Sequence, residues 1–257
     1  MTLFTFIDNM NFAELNLFIF SLFVVFIVGV LYLSGKIWPA NQRKEFNAII
    51  IGFMKILGVF IAIIVGTVIV AVWKNYDDTK NITMSEAGSV GDLYRSIPEN
   101  PDLEPIRPLL LEYGNHVIVT EWPLMEKGIM PTSGWKYLFQ IQNILNVQKE
   151  PPHHIQSLVT NLFDQRRLRI AQTEAYLPSI IYFLILFLSF LILLFSCLFG
   201  TSNIWAHGLM CLGLALAICF TITTIIAIDY PYQTQIYVKP NNMETVITNL
   251  THLSDSK

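Results

Sequence analysis

The feature that most constrains this chain is a long uncharged run. Residues 175–228 contain no Asp, Glu, Lys or Arg. One crossing of a lipid bilayer needs about 20 apolar residues, so a run of this length must cross twice. A turn is predicted at Phe199–Asn203, where Gly, Ser and Asn come together within a sequence rich in Leu, Ile and Phe. Two spans are therefore predicted, at about Pro178–Phe199 and about Ile204–Ile228.

The amino-terminal part contains two further apolar runs. Leu15–Gly35 is uncharged, and Phe46–Trp73 carries a single charge, at Lys55. The composition agrees, because only 14% of the residues are charged, whereas a soluble domain carries about 25%. We therefore predict an all-α integral membrane protein with four transmembrane helices in two hairpins. The expected division is a first hairpin at 1–73, a helical extramembrane domain inserted at 74–176, a second hairpin at 177–228 and a tail at 229–257.

The polar segment between the hairpins has apolar residues at the three- and four-residue spacing of helices. Four helices are predicted there: one capped at Ser85 and ending at Ser96, one at about Leu103–Trp122, one opening at Ser133-Gly134, and one that follows Pro151-Pro152 and runs through the arginines at 166–169. In the tail, Met243, Val246, Ile247 and Leu250 predict a short amphipathic helix that docks on the polar domain. The one candidate strand is Gln235–Val238.

No residue pattern indicates catalysis, a metal or a cofactor. Cys197, Cys211 and Cys219 lie in the predicted third and fourth spans without CxxC or Cys/His ligand spacing, which favours small packing residues. The sequence has no nucleophile elbow, phosphate loop, HExxH helix or Ser/His/Asp order. Its net charge of -3, without a basic stripe, gives no indication of nucleic-acid binding.

The orientation in the membrane is predicted from the charges of the first loop. This short loop carries Lys36, Arg43 and Lys44, and the segment before the first span has no positive charge. The positive-inside rule then places the loop in the cytoplasm, so that the polar domain and the tail lie on the non-cytoplasmic side. Basic residues that flank the polar domain favour the opposite arrangement, but charges in long domains count less in this rule.

A series of motifs runs through nearly the whole chain. They comprise Asn47, Gly52 and Gly58; Val72-Trp73 and Tyr76; Glu86-Ala87; Leu93-Tyr94; Tyr113; Glu121-Trp122-Pro123 and Met125; Arg166-Arg167-Leu168-Arg169; Leu198-Phe199-Gly200; and Asp229-Tyr230-Pro231-Tyr232, with Val238 and Pro240. In this order they resemble the bestrophin-like domain family of uncharacterised bacterial membrane proteins. The most specific part is the succession of Glu-Trp-Pro, Arg-Arg-x-Arg before a span, and Asp-x-Pro-aromatic after the last span.

The resemblance implies kinship with the bestrophins, which are pentameric anion channels whose second span lines a central pore. It therefore implies a homo-oligomer in the bacterial inner membrane, embedded in the lipid bilayer, that passes small anions. The acidic cluster with which bestrophins bind calcium has no counterpart here, and Gln233-Thr234 stands where the family has Gly. The motif residues expected to matter for structure or coupling are Asn47, Trp73, Glu86, Tyr113, Glu121, Trp122, Pro123, Arg166, Arg167, Arg169, Asp229 and Pro231.

The second span has one face of mostly small residues, which supports a pore independently of the family resemblance. Gly52, Lys55, Val59, Ala62 and Gly66 recur at intervals of three and four residues, which places them on one side of a helix. Such a face can line a conduit, or it can let helices pack closely. Lys55 lies about 13 Å into the span. It either snorkels or contacts another helix, or it faces a cavity, where a symmetric oligomer forms a positive ring suited to anions.

The arginines before the third span allow three interpretations. Arg166, Arg167 and Arg169 pair with lipid phosphates, pair with Glu121, or form a solvated face. For the whole protein, the first hypothesis is an oligomeric anion channel. The alternative is a non-conducting membrane scaffold or sensor whose helical domain binds a partner. A membrane enzyme is the least favoured class, because no catalytic constellation occurs in the sequence.

Overall fold

The computed structural model describes residues 11–98, 100–148, 150, 152–234 and 236–255. Residues 1–10 of the expected first domain and Gln235 of the candidate strand lie outside this part. Within it the chain is all-helical and has no strand, as predicted. The helices are α1 (Phe12–Ile37), α2 (Ala40–Ser96), α3 (Ile106–His116), α4 (Trp122–Met125), α5 (Trp135–Val147), α6 (His153–Ala171), α7 (Ser179–Cys197), α8 (Ile204–Asp229) and α9 (Asn241–Asp255).

Four helical segments of this part are long and apolar enough to cross a membrane. They are Phe12–Ile37, Ala40–Ser96, His153–Cys197 and Ile204–Asp229. In the third segment the apolar residues belong to α7, which has 19 residues and so meets the requirement of about 20 for one crossing. The prediction of four helices suited to span a membrane is confirmed.

The second of these helices is longer than predicted. The sequence placed the end of the span at Trp73 and a new helix at Ser85, but α2 is one helix of 57 residues. No Gly or Pro lies between Gly66 and Gly88, so nothing interrupts the backbone hydrogen bonds where the composition changes from apolar to polar. The change in composition marks a change in the helix's surroundings and not its end.

The chain forms two compact units. The first unit holds the chain up to Trp73 together with Leu177–Asp229, and the second holds Lys74–Tyr176 together with the chain from Tyr230 onward. In the first unit, α1, α7 and α8 pack on one another. The ring of Phe190 meets the rings of Phe23 and Phe26 edge-on, at centroid distances of 5.3 and 4.9 Å.

The loop between α7 and α8 is fastened to the beginning of α2. The side-chain amide of Asn47 donates to the carbonyl of Gly200 at 3.0 Å and accepts from its N–H at 2.9 Å. Gly200 suits this contact because a Cβ there would lie 2.5 Å from the backbone nitrogen of Lys44. The two motif residues Asn47 and Gly200 therefore form one contact, which joins the α7–α8 loop to the beginning of α2.

Arg43 fills the space between two helix ends in the same region. Its Nη1 donates to the hydroxyl of Ser34 in the last turns of α1 at 3.0 Å, and to the carbonyl of Cys197 at the end of α7 at 3.3 Å. The carboxyl ends of helices carry partial negative charge, which stabilises a cation placed there. Arg43 is thus buried against two helix ends without a carboxylate at salt-bridge distance in the described part of the chain.

The second unit has one apolar core, contributed by α2, α3, α5, α6 and α9. Its fully buried side chains include Val90, Leu93, Ile106, Leu110, Val117, Leu138, Ile141, Val159 and Leu162. The third and fourth predicted helices occur as α5 and α6, and α6 continues through the arginines as expected. The predicted helix at about Leu103–Trp122 differs in two ways. It begins only at Ile106, and its α-helical part ends at His116, where a π-helical turn, Val117–Glu121, follows.

The tail belongs to the second unit and ends in the predicted helix. Met243, Ile247 and Leu250 of α9 are buried against the core. Close approach requires Gly114 of α3, where a Cβ would lie 2.1 Å from Cδ1 of Ile247. The candidate strand is wrong for residues 236–238: the N–H of Val238 donates to the carbonyl of Pro231 at 2.8 Å, which closes a loop and pairs with no strand.

Candidate functional site

The apolar part of α2 has two faces with different surroundings. Ile50, Leu57, Val68 and Val72 are at most 8% exposed and form the face that packs within the chain. The five candidate pore residues are all exposed: Gly52, Lys55, Val59, Ala62 and Gly66. Since each helical residue advances about 100°, the two sets point in directions roughly 155° apart. The candidate face is therefore turned away from the rest of its own unit.

The candidate pore face has no partner of its own in the described part of the chain. A Cβ built on Gly52 or Gly66 would meet no atom within 4 Å. The side chain of Lys55 is exposed and has neither a hydrogen bond nor an ion pair there. Within the described part of the chain, the two glycines of this face therefore meet no neighbouring helix, and Lys55 has no polar contact with one.

A buried cluster of ionised side chains lies in the second unit. Glu121 accepts from Nη1 and Nη2 of Arg166 at 2.7 and 2.5 Å, and from Nη2 of Arg169 at 2.7 Å. Glu86 accepts from Nε of Arg169 and from the hydroxyl of Tyr113. The four ionised side chains are at most 1% exposed. Two carboxylates and two guanidinium groups leave the cluster with no net charge.

Electrostatic pairing in this cluster outweighs the cost of burial. Burial by itself raises the pKa of the Glu121 carboxyl, but the hydrogen bond from Arg166 and the charges of Arg169 and Arg166 bring it below its ordinary value. Burial lowers the pKa of Arg169, yet the charges of the nearby Glu86 and Glu121 raise it well above its ordinary value. Tyr113 has a raised pKa, first because it is buried and then because Glu86 lies beside it, so it stays neutral and donates.

The backbone places Glu121 in the cluster through the π-helical turn. A proline has no N–H, and its ring clashes with the carbonyl four residues before it, which explains why the helix widens into a π-helical turn at Val117–Glu121, just before Pro123. This turn presents Glu121 on the buried side, next to Trp122, while Pro123 itself is exposed. The π-helical turn therefore explains the Glu-Trp-Pro motif: the proline accompanies the turn, and the turn places the glutamate and the tryptophan on the buried side.

Aromatic rings and one glycine close the cluster. The guanidinium of Arg166 lies 4.8 Å from the ring centroid of Trp135, and that of Arg169 lies 5.8 Å from that of Trp122. The N–H of Gly134 donates to Glu121 at 2.9 Å, and a Cβ on Gly134 would lie 2.5 Å from the same oxygen. Neither Gly134 nor Trp135 was a predicted site residue, and their only signal in the sequence is the predicted start of a helix at Ser133-Gly134.

The arginine motif separates into two kinds of residue. Arg166 and Arg169 are buried with Glu121, whereas the side chain of Arg167 is 69% exposed and pairs with Asp164 at 3.2 Å. Of the three interpretations of the motif, pairing with Glu121 thus holds for Arg166 and Arg169, and a solvated position for Arg167. Helix periodicity explains the division, because positions 166 and 169 share a face that position 167 does not.

The remaining motif residues lie near the end of a helix or at the boundary of a unit. Asp229, at the end of α8, accepts from the backbone N–H of Leu177 at 2.9 Å and from the hydroxyl of Tyr182 at 2.5 Å, beside the start of α7. Pro231 is buried, and its carbonyl closes the tail loop. Trp73 is 61% exposed, at the last position of its unit. Among the described residues, no group of three or more His, Cys, Asp or Glu is placed to hold a metal ion.

The fold and these motifs define a helical membrane protein of the bestrophin-like class. The family model of the bestrophin-like domain matches residues 21–243. The chain belongs to the bestrophin-like family.

Comparison with solved structures gives the same fold. Two crystal structures of a bacterial bestrophin homolog from Klebsiella pneumoniae, each with a different point mutation, match with a TM-score of 0.65. Sequence identity is 13% in one and 14% in the other; the matches cover 92% and 93% of this chain, and 99% and 98% of the other. The comparison with curated proteins gave no significant match.

Proposed function

We propose that this protein is an oligomeric channel for small anions, in which α2 of every copy lines a central pore. The observation that carries the proposal is the candidate face of α2, with Gly52, Lys55 and Gly66, which is exposed and points away from the chain's own packing face. A helix whose small-residue face meets no partner among the described residues of its own chain is suited to face an axis shared by several copies. The family to which the chain belongs supports the same arrangement.

The charge on this face supports anions as the permeant species. A lysine within the apolar part of a span is costly when it faces lipid and is tolerated in a water-filled cavity. Lys55 has no carboxylate partner in the described part of the chain, so its charge is not cancelled locally. Repeated around an axis, it forms a positive ring in a region of low dielectric, where it attracts anions and repels cations.

The oligomer follows from the same geometry. A conduit lined by one helix per chain needs about four or more copies, and the family analogy favours five. In each copy we propose two transmembrane hairpins, with residues 74–176 inserted between them as an extramembrane domain. The buried ion cluster, which has no net charge and no exposure, serves to hold that domain in one conformation and takes no part in conduction.

The experiment that tests the proposal combines oligomer mass with anion flux. The full chain is purified, its mass is determined in detergent or lipid nanodiscs, and it is reconstituted into chloride-loaded liposomes. We expect an oligomer of four or more chains and chloride efflux that protein-free liposomes do not show. A well-folded monomer or dimer, or an oligomer without chloride efflux, contradicts the proposal.

A non-conducting scaffold or sensor is the second candidate, and one observation favours it. An open groove of about 420 Å³ on the second unit is lined by Trp135, Phe139, Phe163 and Arg167. Phe139 is 55% exposed, and exposed aromatic side chains are typical of surfaces that bind another protein. An intact oligomer without flux would leave this candidate ahead.

The orientation remains the one expected from the first loop, with the second unit on the non-cytoplasmic side of the inner membrane. Lys36, Arg43 and Lys44 lie around the loop between α1 and α2, and Lys44 donates to the hydroxyl of Ser202 at 2.9 Å, three residues before the exposed Trp205 in the first turn of α8. Tryptophan near basic residues is typical of a membrane–water interface.

We expect Thr132→Cys to react with a membrane-impermeant thiol reagent added outside intact cells, and Asn41→Cys to react only after lysis. Both positions are exposed, whereas the three native cysteines are buried and give a low background. The parent protein without an added cysteine is the control. Labelling of Asn41→Cys alone in intact cells reverses the orientation.

A further inference from the structure

Two of the three cysteines meet across the α7–α8 pair. The Sγ atoms of Cys197, at the end of α7, and Cys211, two turns into α8, are 4.0 Å apart, and both thiols are reduced and buried. In a disulfide the two sulfurs are about 2.05 Å apart, so each would have to move by about 1 Å. The short segment 198–210 that joins them already brings the two helices together.

The surroundings of this thiol pair are polar, unlike those expected of cysteines that serve only as apolar packing. The hydroxyl of Ser196 is 3.4 Å from Sγ of Cys211. His207 lies one turn before Cys211 on α8, and its Nε2 donates to the carbonyl of Ser196 at 2.8 Å. The hydroxyl of Ser196 and the side chain of His207 thus give this end of the α7–α8 pair polar neighbours that a purely apolar packing contact lacks.

Cys219 shows the contrast within the same helix. It lies two turns beyond Cys211 and is bonded to neither of the other two thiols; its own thiol donates to the backbone carbonyl of Asn16 at 3.1 Å. It has the burial of the other two cysteines but no second thiol to bond with. The chain thus contains a matched internal control for thiol chemistry.

We propose that Cys197 and Cys211 form a redox site, which a lipid-soluble quinone oxidises to a disulfide. Two S–H bonds break and one S–S bond forms, and the two electrons and two protons released reduce the quinone to the quinol. A quinone fits this site because the pair is buried in helices suited to span a membrane, where an oxidant must partition into the bilayer to arrive. The end of α7 opens locally to admit it, since helix ends open more readily than helix centres.

Formation of the disulfide acts on the part of the first unit where α2 begins. The carbonyl of Cys197 accepts from Arg43, and the following loop holds Asn47 through Gly200. A bond that ties α7 to α8 at this point restricts the backbone to which the first turns of α2 are fastened. Oxidation of the thiol pair by a membrane quinone would therefore act directly on the residues that hold the beginning of α2.

The test uses the full chain in liposomes under anaerobic conditions with tetramethylbenzoquinone, whose ring has no open position for thiol addition. We expect each chain to lose two hydrogen atoms by intact mass, with one quinone consumed per chain. Peptide mapping without reductant should link the peptides of Cys197 and Cys211, and Cys219 should still be alkylated after denaturation. Dithiothreitol should restore the original mass.

The variants separate the proposed pair from general thiol oxidation. Cys219→Ser should consume quinone like the parent, and Cys197→Ser and Cys211→Ser should consume none. A parent protein that keeps its mass, a link that involves Cys219 or a second chain, or quinone consumption by Cys197→Ser overturns the proposal. Where a serine variant does not fold, the peptide map of the parent protein decides alone.

Discussion

Glu121→Gln should lower the free energy of unfolding by about 3–5 kcal/mol, because it leaves two buried guanidinium groups with one carboxylate. Glu121 accepts four hydrogen bonds, from Arg166, Arg169 and the N–H of Gly134. A glutamine has one acceptor oxygen, and its amide would point hydrogens at a guanidinium. For a chain of this size, a loss of this order lowers the melting temperature by about 10 °C, as a thermal-shift assay in detergent measures.

The pH dependence of this stability has a defined direction. The folded-state pKa of Glu121 lies below its ordinary value of 4.5. A carboxyl with a depressed pKa contributes stability that is fully present above the unfolded pKa and is lost as pH falls through the folded one. The difference between parent and Glu121→Gln should therefore be constant above about pH 5 and should shrink in more acidic buffer.

The matched control is the exposed pair next to the cluster. Arg167 and Asp164 are both more than half exposed, and such pairs contribute less than about 1 kcal/mol. Asp164→Asn should therefore leave the melting temperature nearly unchanged. Equal effects of Asp164→Asn and Glu121→Gln would contradict the account of the cluster.

A double-mutant cycle tests the pairing itself. Glu121→Gln combined with Arg166→Met should be less destabilising than the sum of the two single changes, because the second change removes a charge that the first left unpaired. Gly134→Ala offers an independent approach: its Cβ would lie 2.5 Å from Oε1 of Glu121, so it should destabilise without altering any charge. Strict additivity in the cycle would remove the pairing from the account.

The helices suited to span a membrane were predictable because each is set by a local property. A run of apolar residues identifies α1, α7 and α8 wherever the rest of the chain lies. The end of α2 was not predictable in the same way, since its composition changes at Trp73 while its backbone continues to Ser96. The composition of a segment indicates whether lipid, water or protein surrounds it, whereas the end of a helix is indicated by Gly, Pro or a capping residue.

The ion cluster was predictable in part. The sequence proposed Glu121 as a partner of the arginines, since both motifs are charged and lie in one domain. It gave no indication that Arg169 also binds Glu86 on α2, 83 positions away. Contacts at such separation depend on how helices pack, and hydrophobic periodicity gives the buried face of each helix but not the residue opposite.

The candidate pore face shows the same division. The spacing of Gly52, Lys55 and Gly66 places them on one side of a helix, but it cannot tell whether that side packs within the chain. The structure leaves that side exposed and buries the opposite one. The neighbours of the exposed side depend on how several chains assemble. The role of this side is therefore tested by measuring ion conduction.

Lys55→Glu should change the selectivity of the proposed channel from anions to cations. The change reverses the sign of every charge in the ring that Lys55 forms around the axis, in a region of low dielectric. Lys55→Gln should lower chloride conductance by about tenfold while leaving the oligomer intact, because it removes the attraction without adding repulsion. Lys36→Glu is the matched control, since Lys36 is an exposed lysine at the end of α1, away from the candidate face.

A snorkelling lysine would behave differently. If Lys55 reaches the lipid headgroups, glutamine in its place should leave both current and stability nearly unchanged. Glutamate should lower stability without altering any current. Oligomer mass and melting temperature, measured on the same preparations, separate loss of assembly from loss of selectivity.

The most direct test of the central claim is the reversal potential of reconstituted protein in a planar bilayer under a chloride gradient. The parent protein should reverse near the chloride equilibrium potential, Lys36→Glu should match it, and Lys55→Glu should reverse at a potential of opposite sign. A well-folded parent oligomer without current, or a reversal potential that Lys55→Glu leaves unchanged, would contradict a pore lined by α2.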